Sequence, residues 1–91
     1  MEPKRTRTDI IADMLQAIQN KRGNIKPTHL MYKANLPHAQ LKSYLEELVE
    51  KELVEKTPNS NNNMYISITD KGHKFVQKWN EMKQFEKSFG L

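Results

Sequence analysis

The stretch from position 38 to position 43 carries imidazole, amide, ammonium and hydroxyl groups within six residues. Groups of this kind hydrogen-bond to base edges in nucleic acids, where glutamine suits adenine and lysine suits guanine. Ser43 is also small, which would let a helix approach a groove closely. The spacing therefore predicts a set of side chains that contact DNA bases, the base-reading candidates. The alternative is an ordinary solvated helix face. Its members are His38, Ala39, Gln40, Lys42 and Ser43.

A second set of side chains has the chemistry to bind a phosphate backbone. Such contacts determine register and affinity but carry no sequence information. Any single surface lysine is more often unengaged, so only the set as a whole supports this interpretation. The phosphate-contact candidates are Arg5, Arg7, Lys26, Thr28, Tyr32, Lys33 and Lys56.

No arrangement typical of catalysis or metal binding accompanies these residues. The chain has no cysteine, its three glycines are isolated, and its three histidines are dispersed. Glu46 and Glu50 are four residues apart, a possible metal spacing on a helix, but no third ligand is evident. We therefore predict no catalytic residue, no metal site and no cofactor. The sequence also indicates no small-molecule effector.

The formal charge of this 91-residue chain is +4, and it is unevenly distributed. Residues 1–42 carry a net +5, residues 43–55 carry −4, and residues 56–91 carry +3. An anion-binding face would therefore be built mainly from the first and last thirds. No signal-like or membrane-length apolar run is present. We expect a cytoplasmic, nucleoid-associated protein that has no membrane partner.

Hydrophobic spacing predicts two helices in the first third of the chain. The first follows Thr8, the expected N-cap, and is stopped by Gly23 and Pro27. The second is short and is expected to be capped by Thr28. Its inward residues are predicted to be Leu30, Met31 and Ala34.

A third helix is predicted over about residues 37–51, after a turn at Asn35-Leu36. Pro37 suits its first turn, where the missing N–H is no loss. The inner side is expected to carry three leucines, with Tyr44 and Val49 beside them. Those leucines are Leu41, Leu45 and Leu48.

The segments LVEKT and MYISI are β-prone and flank the turn-forming residues PNSNNN. This pattern predicts a β-hairpin with a polar tip, the wing, over residues 57–63. Leu53, Val54, Met64, Ile66 and Ile68 are expected to pack it on the helices. Asparagine at a hairpin tip is usually a turn former, but the wing candidates for contacts are Asn59, Asn61, Asn62 and Asn63.

Thr69-Asp70 is the expected start of a last helix over residues 70–89, in which Gly72 allows close packing. Apolar side chains continue along this helix beyond the reach of a small core, and would form a costly exposed patch. A homodimer through this helix would cover them. The alternatives are folding back, another protein or a membrane surface, and Glu86 interrupts a strict heptad. The interface candidates are Trp79, Met82, Phe85 and Phe89.

The predicted order is α-α-α-β-β-α, a mainly α fold with a small β-hairpin. Three helices followed by a wing make a winged helix-turn-helix, here with a long C-terminal dimerisation helix. We predict a flexible basic arm at 1–7, a winged helix-turn-helix domain at 8–72 and the dimerisation helix at 70–89.

Four separated motifs, RTDIIADML, THLMYKANL, QLKSYLEEL and YISITDKGHKF, occur between about Arg5 and Phe75. In this order they resemble small archaeal winged helix-turn-helix DNA-binding proteins. Those proteins are related to a ten-kilodalton archaeal chromatin protein that dimerises through a C-terminal coiled-coil helix. The resemblance implies DNA binding, dimerisation and no enzymatic activity. Two positions depart from the family pattern: Glu52 stands where glycine is usual, and Pro37 stands where a serine-like cap is usual.

These features predict a double-stranded DNA-binding protein, either a transcription regulator or an architectural protein of the nucleoid. The third helix would enter the major groove, and the wing would lie near the backbone or minor groove. The glutamates that follow Ser43 lie on the distal half of the helix, so Glu46 is at the border of the reading face. The alternative is a winged-helix module that binds protein and not DNA.

Overall fold

The computed structural model describes residues 5–58 and 63–91, and its elements follow the predicted order with one strand added. The described residues form four helices and three short strands. The elements are α1 (Arg7–Asn20), β1 (Asn24–Ile25), α2 (Pro27–Ala34), α3 (His38–Glu50), β2 (Val54–Pro58), β3 (Met64–Ile68) and α4 (Asp70–Ser88).

The added strand, β1, makes the predicted hairpin a three-stranded antiparallel sheet in the order β1-β3-β2. Ile25 pairs with Ile66, and the backbone N–H of Ile68 donates to the carbonyl of Gly23 at 3.0 Å. Two residues are too few for a periodic signal in the sequence. The hairpin gains from this strand because two strands alone are marginal in water.

The core lies between α1, the inner sides of α2 and α3, and the sheet. The predicted inward residues of α2 and α3, and the wing residues predicted to pack on the helices, are buried or packed against the buried cluster with one exception. Met64 is the exception, because 46% of its surface is exposed. It pairs with Pro58, the last residue of β2, at the opposite end of the ladder from Val54 and Ile68. The fully buried side chains include Met14, Leu15, Ile18, Leu30, Leu48 and Ile66.

Helix α1 begins at Arg7, and Thr6 is its N-cap, so the prediction that Thr8 caps it is wrong. The Thr6 hydroxyl accepts from the backbone N–H of Asp9 at 3.1 Å, and the Asp9 carboxylate accepts from the N–H of Thr6 at 3.1 Å. This reciprocal pair is a capping box. The hydrogen bond from the Thr6 backbone is the main cause that lowers the pKa of Asp9.

Helix α2 begins at Pro27, so the predicted cap at Thr28 is also wrong. Lys26 occupies the N-cap in an extended conformation and provides no side-chain cap. A residue before proline is disfavoured in the helical region, and proline suits the first helical position. Similarly, Pro37 is the extended N-cap of α3 and not part of its first turn. The predicted limits of α3 are therefore correct to within one residue.

Glu52 adopts a left-handed conformation (φ 63°) immediately after α3. The N–H of Leu53 donates to the carbonyl of Leu48 at 2.9 Å, and the N–H of Glu52 donates to that of Val49 at 3.0 Å. These bonds close the helix in the way that usually requires glycine. Glu52 therefore adopts the left-handed conformation for which glycine is usual at this position, although glutamate is less suited to it.

Replacing Glu52 with glycine should stabilise the domain by about 0.5–1 kcal/mol, because glycine has no Cβ to strain in this conformation. Chemical denaturation would measure the change. Glu52→Ala is the matched control, since it removes the same charge but keeps the strain. An equal gain in both variants would assign the effect to charge.

Helix α4 begins as predicted, with Thr69 as its N-cap. The Thr69 hydroxyl accepts from the N–H of Gly72 at 3.0 Å. Gly72 is buried against the end of β3, as its size predicts. None of the described helices is long and apolar enough to span a membrane.

Candidate nucleic-acid interface

The outer side of α3 presents every base-reading candidate. Leu41, Leu45 and Leu48 point into the core, and this fixes the rotation of the helix about its axis. The candidates on the opposite side are all exposed, and none of the residues from His38 to Ser43 is acidic. A continuous neutral-to-basic surface therefore covers the first two turns of α3. Its members are His38, Ala39, Gln40, Lys42 and Ser43.

A groove of about 420 Å³ runs between the start of α2, the outer edge of α3 and the two hairpin strands. We call it the wing groove. Its polar lining brings together five side chains from three elements, which are Thr28, His38, Lys42, Glu46 and Lys56. The tertiary structure thus gathers two phosphate-contact candidates and two base-reading candidates around one concave surface.

Three other phosphate-contact candidates lie outside the wing groove. Lys26 is exposed just before α2, and 72% of the Tyr32 surface is exposed. Lys33 lines a different hollow, which it shares with Asp13 and other residues of α1. Lys33 therefore lies on the α1 side of α2.

Arg5 has partners within the domain. Its guanidinium donates to the carbonyls of Ala34 at 2.8 Å and Asn35 at 3.1 Å, and it pairs with Asp13 at 3.0 Å. A cation at these carbonyls suits the negative end of α2. Nothing in the sequence pattern indicated this contact, because Arg5 and Asn35 are 30 positions apart. Arg5 thus holds the start of α1 against the helix-turn-helix.

Arg7 also has an internal partner, the carboxylate of Glu47 on α3. Both predicted arm arginines therefore contact the domain and neutralise acidic groups on it. A phosphate could engage either one only in competition with these contacts. We keep them as predicted phosphate contacts, but the lysines and Thr28 are better placed.

The acidic residues of α3 divide into two groups. Glu47 is half-buried and pairs with Arg7, whereas Glu46 and Glu50 are exposed. Glu46 borders the wing groove, one turn beyond Lys42. No group of three or more histidine, aspartate or glutamate side chains in residues 5–58 and 63–91 could hold a metal ion.

Three of the wing candidates, Asn59, Asn61 and Asn62, lie outside the described residues. Asn63 is exposed beside the start of β3. Within the strands, the Thr57 hydroxyl lies 3.2 Å from that of Ser67, which links β2 to β3 on one face. Lys56 is exposed and borders the wing groove, so it is the described wing residue best placed for an anion.

The end of α4 exposes an apolar stripe. The exposed fractions are 44% for Met82, 62% for Phe85 and 68% for Phe89. The Phe85 and Phe89 rings pack on each other, with centroids 5.0 Å apart. We call these three residues the α4 stripe.

Trp79 differs from the stripe residues because it is half-buried. The ammonium of Lys83 lies 5.5 Å from the Trp79 ring centroid, and it also pairs with Asp9 of α1 at 3.4 Å. Trp79 therefore lies nearer its own domain than the other dimer candidates do.

Comparison with known proteins gives one family match and one curated relative. The family model described as winged helix-turn-helix matches residues 4–87. An uncharacterized protein of Methanocaldococcus jannaschii is 33% identical over 79 residues, covering 87% of this chain. The chain spans only 34% of that relative's length.

Solved structures with the same fold come from archaea and bacteria. Sso10a-2, a DNA-binding protein from Sulfolobus solfataricus, aligns with a TM-score of 0.80 at 19% identity, over 93% of this chain and 85% of that one. MepR, a transcription regulator of the Staphylococcus aureus efflux pump MepA, aligns with a TM-score of 0.76 at 13% identity, over 88% and 61%. A mutant MarR from E. coli, complexed with operator DNA, aligns with a TM-score of 0.67 at 24% identity, over 75% of this chain and 49% of that one. The TM-scores establish a common fold, and the identities, all below 25%, establish nothing beyond it.

Proposed function

This chain belongs to the winged helix-turn-helix family, and on that premise we propose that it binds double-stranded DNA without catalysing a reaction. Its role would be that of a cytoplasmic transcription regulator or an architectural protein of the nucleoid. The observation that carries the proposal is the acid-free outer side of α3 from His38 to Ser43, bordered by Lys56 across the wing groove. The similarity of the fold to DNA-binding regulators supports it.

In the proposed complex the first two turns of α3 enter the major groove. Gln40 is suited to adenine and Lys42 to guanine. The small side chains of Ala39 and Ser43 allow α3 to approach the groove closely. Glu50 and the residues after it point away from the duplex. This orientation keeps the negative half of α3 at a distance from the phosphates, which the net charge of −4 over residues 43–55 requires.

Phosphate contacts come from residues that flank α3 in space. Thr28 lies in the first turn of α2, where unpaired N–H groups favour an anion. Lys26 precedes that turn, and Lys56 reaches from the wing. Each lysine that neutralises a phosphate releases counterions, which makes affinity depend steeply on salt.

We also propose that α4 pairs two copies of the chain through the α4 stripe. Its residues are too exposed to be core, and two of them already pack against each other. An isologous pair would cover the stripe of both copies at once. Dimerisation would set the spacing of the two reading helices, and hence the half-site separation or the distance between bridged duplexes.

A salt titration of duplex binding tests the DNA proposal. Fluorescence anisotropy of a labelled duplex should show affinity falling with salt, with a logarithmic slope of about −0.9 per neutralised phosphate. Lys26 and Lys56 alone would give a slope of about −2 per protomer. Absence of binding at low salt would favour the protein-interaction module instead, which the exposed Glu46, Glu50, Glu52 and Glu55 make the second candidate.

Two substitutions one turn apart on α3 should separate its reading half from its distal half. Lys42→Ala should weaken binding by about 1–3 kcal/mol, because it removes a contact to a base or phosphate. Glu46→Ala should leave affinity unchanged or raise it, since it removes a negative charge at the border of the reading face. The same anisotropy assay measures both, and a large loss with Glu46→Ala would mean that the reading face is misassigned.

A further inference from the structure

Three consecutive residues, 5–7, contact all three helices that precede the wing, and we call them the arm clamp. Thr6 caps α1, and Arg5 donates to the last carbonyls of α2. Arg7 pairs with Glu47 of α3. Because the three contacts are adjacent in the chain, a shift of one would disturb the others. From residue 5 onward, the predicted arm therefore connects α1, α2 and α3.

The Arg5 guanidinium supports the turn between α2 and α3. Its two terminal nitrogens donate to the carbonyls of Ala34 at 2.8 Å and Asn35 at 3.1 Å. Asn35 is in the left-handed region (φ 55°), which ends α2 and redirects the chain towards α3. The last carbonyls of a helix lack partners within it. The planar guanidinium of Arg5 satisfies two of these carbonyls at once.

The pair between Arg7 and Glu47 holds α3 beyond the base-reading candidates. One carboxylate oxygen of Glu47 is shielded from solvent and faces the Arg7 guanidinium. A shielded charge that loses its partner is strongly unfavourable, because neither water nor a counter-charge then compensates it. Glu47 is therefore directed towards the start of α1 and links α3 to it.

We propose that Arg5 and Arg7 are positioning residues for α3. Through the turn and through Glu47 they hold α3 in the orientation that presents the base-reading candidates. They affect DNA affinity in this way and not by contacting phosphate, since both terminal nitrogens of Arg5 already donate within the domain. The arm clamp itself is a property of the free protein, whereas its effect on DNA affinity rests on the proposed function.

Glu47→Gln distinguishes positioning from phosphate contact by the sign of its effect. If Arg7 bound phosphate, loss of the carboxylate would release its guanidinium and remove a negative charge, so duplex affinity would rise. If Arg7 positions α3, loss of the ion pair loosens the helix, and affinity falls about three- to tenfold with the fraction of correctly oriented protein. Glu50→Gln, at an exposed position of the same helix, is the matched control. It should leave affinity unchanged or raise it, and a rise with Glu47→Gln would overturn the role of Arg7.

Two substitutions of Arg5 separate its charge from its shape. Arg5→Ala should weaken duplex binding about three- to tenfold with an unchanged salt slope, whereas a lost phosphate contact would reduce that slope by about 0.9. Arg5→Lys keeps the charge but not the planar fork, so it should recover little of the loss. Lys78→Ala, which removes an exposed charge on α4, is the control and should leave affinity unchanged. Either full recovery with lysine or a reduced slope in Arg5→Ala would overturn the role of Arg5.

Hydrogen exchange in the free protein tests the arm clamp without DNA. The Leu36 N–H donates to the carbonyl of Met31 at 3.1 Å, at the turn that Arg5 supports. Arg5→Ala should speed its exchange about tenfold, because the turn opens more often. The Ile68 N–H, which donates to Gly23 in the sheet, is the internal control and should accelerate less.

Unaltered exchange at Leu36 would refute the arm clamp, and equal acceleration at Leu36 and Ile68 would refute it too, because that result indicates global destabilisation. A wild-type protein that binds no duplex would instead refute the proposed function. Exchange at Leu36 would still decide whether the arm clamp holds the turn.

Discussion

Replacing Phe85 and Phe89 together with serine should convert the proposed dimer to a monomer. Burial of one phenylalanine side chain contributes about 1.5–3 kcal/mol relative to leaving it in water. Four such side chains per dimer amount to about 6–12 kcal/mol, although the two rings of one chain already cover each other in part. A dimer of micromolar affinity has only about 8 kcal/mol of binding free energy. The double substitution therefore removes most of what would hold two copies together.

Sedimentation equilibrium would measure this change, and circular dichroism would show that the helices persist. Gln77→Ser with Gln84→Ser is the matched control, because it introduces two serines on exposed α4 positions outside the stripe. The control should remain dimeric. A wild-type protein that is monomeric at high concentration, or a double phenylalanine variant that stays dimeric, would rule out pairing through the α4 stripe.

The monomeric variant should also bind DNA more weakly. Linking two binding surfaces makes the second contact intramolecular and raises overall affinity by about 10²–10⁴-fold when both sites can be engaged. We expect the phenylalanine variant to lose at least tenfold in affinity for duplexes that accommodate both helices. Its salt slope should fall towards that of one protomer. Unaltered affinity would mean that each domain binds independently.

Replacing Gly72 with valine should destabilise the domain severely. Even the Cβ of alanine would lie 2.4 Å from the carbonyl oxygen of Leu53 and 2.7 Å from Cγ1 of Ile68. That carbonyl cannot easily retreat, because it accepts from the Thr69 hydroxyl at 3.0 Å and from the Thr69 N–H at 3.2 Å. The helix start is thus held against the segment between α3 and β2.

Whether a substitution at Gly72 stabilises or destabilises the domain depends on the size of this clash. Alanine gains about 1 kcal/mol over glycine in a helix, whereas overpacking costs about 1–3 kcal/mol and sometimes more. We expect Gly72→Ala to lose about 1–2 kcal/mol and Gly72→Val to lose 3 kcal/mol or more. Urea unfolding would measure both losses, which are large against a typical stability of about 5–15 kcal/mol.

Gly90→Ala is the control for Gly72, because no atom lies within 4 Å of an added Cβ there. Its positive φ of 75° makes alanine mildly unfavourable, but Gly90 lies just beyond the end of α4, away from the core. We expect less than about 1 kcal/mol for this change. If Gly72→Ala instead stabilised the domain through the higher helix propensity of alanine, the close contact between α4 and the Leu53 carbonyl would be contradicted.

The orientation of α3 could be predicted because one periodic pattern determines it. Leu41, Leu45 and Leu48 recur at helical spacing, so their burial places Gln40 and Lys42 outside. The same pattern places Glu46 at the border of the face that carries the base-reading candidates. The order of the elements followed from similar periods in the helices and from the turn-forming residues between two β-prone segments.

Helix starts were harder to predict because several residues compete for them. Thr6 and Thr8 are both good caps, and only the reciprocal contact with Asp9 favours Thr6. Before α2, the conformation that Pro27 imposes on Lys26 outweighs the hydroxyl of Thr28. At both helix starts a pair of residues determines the cap, and a single residue type does not identify it.

The sequence by itself determined the winged helix-turn-helix order, the outward side of α3 and the unburied aromatic residues of α4, because local hydrophobic periodicity and turn-forming residues encode all three. Only the tertiary structure decided which distant residues meet. It paired β1 with β3, directed Arg5 and Arg7 to the domain's own carbonyl and carboxylate oxygens, and assembled the wing groove from α2, α3 and the hairpin. Contacts between residues tens of positions apart depend on how complete elements pack, and no local period in the chain records that packing.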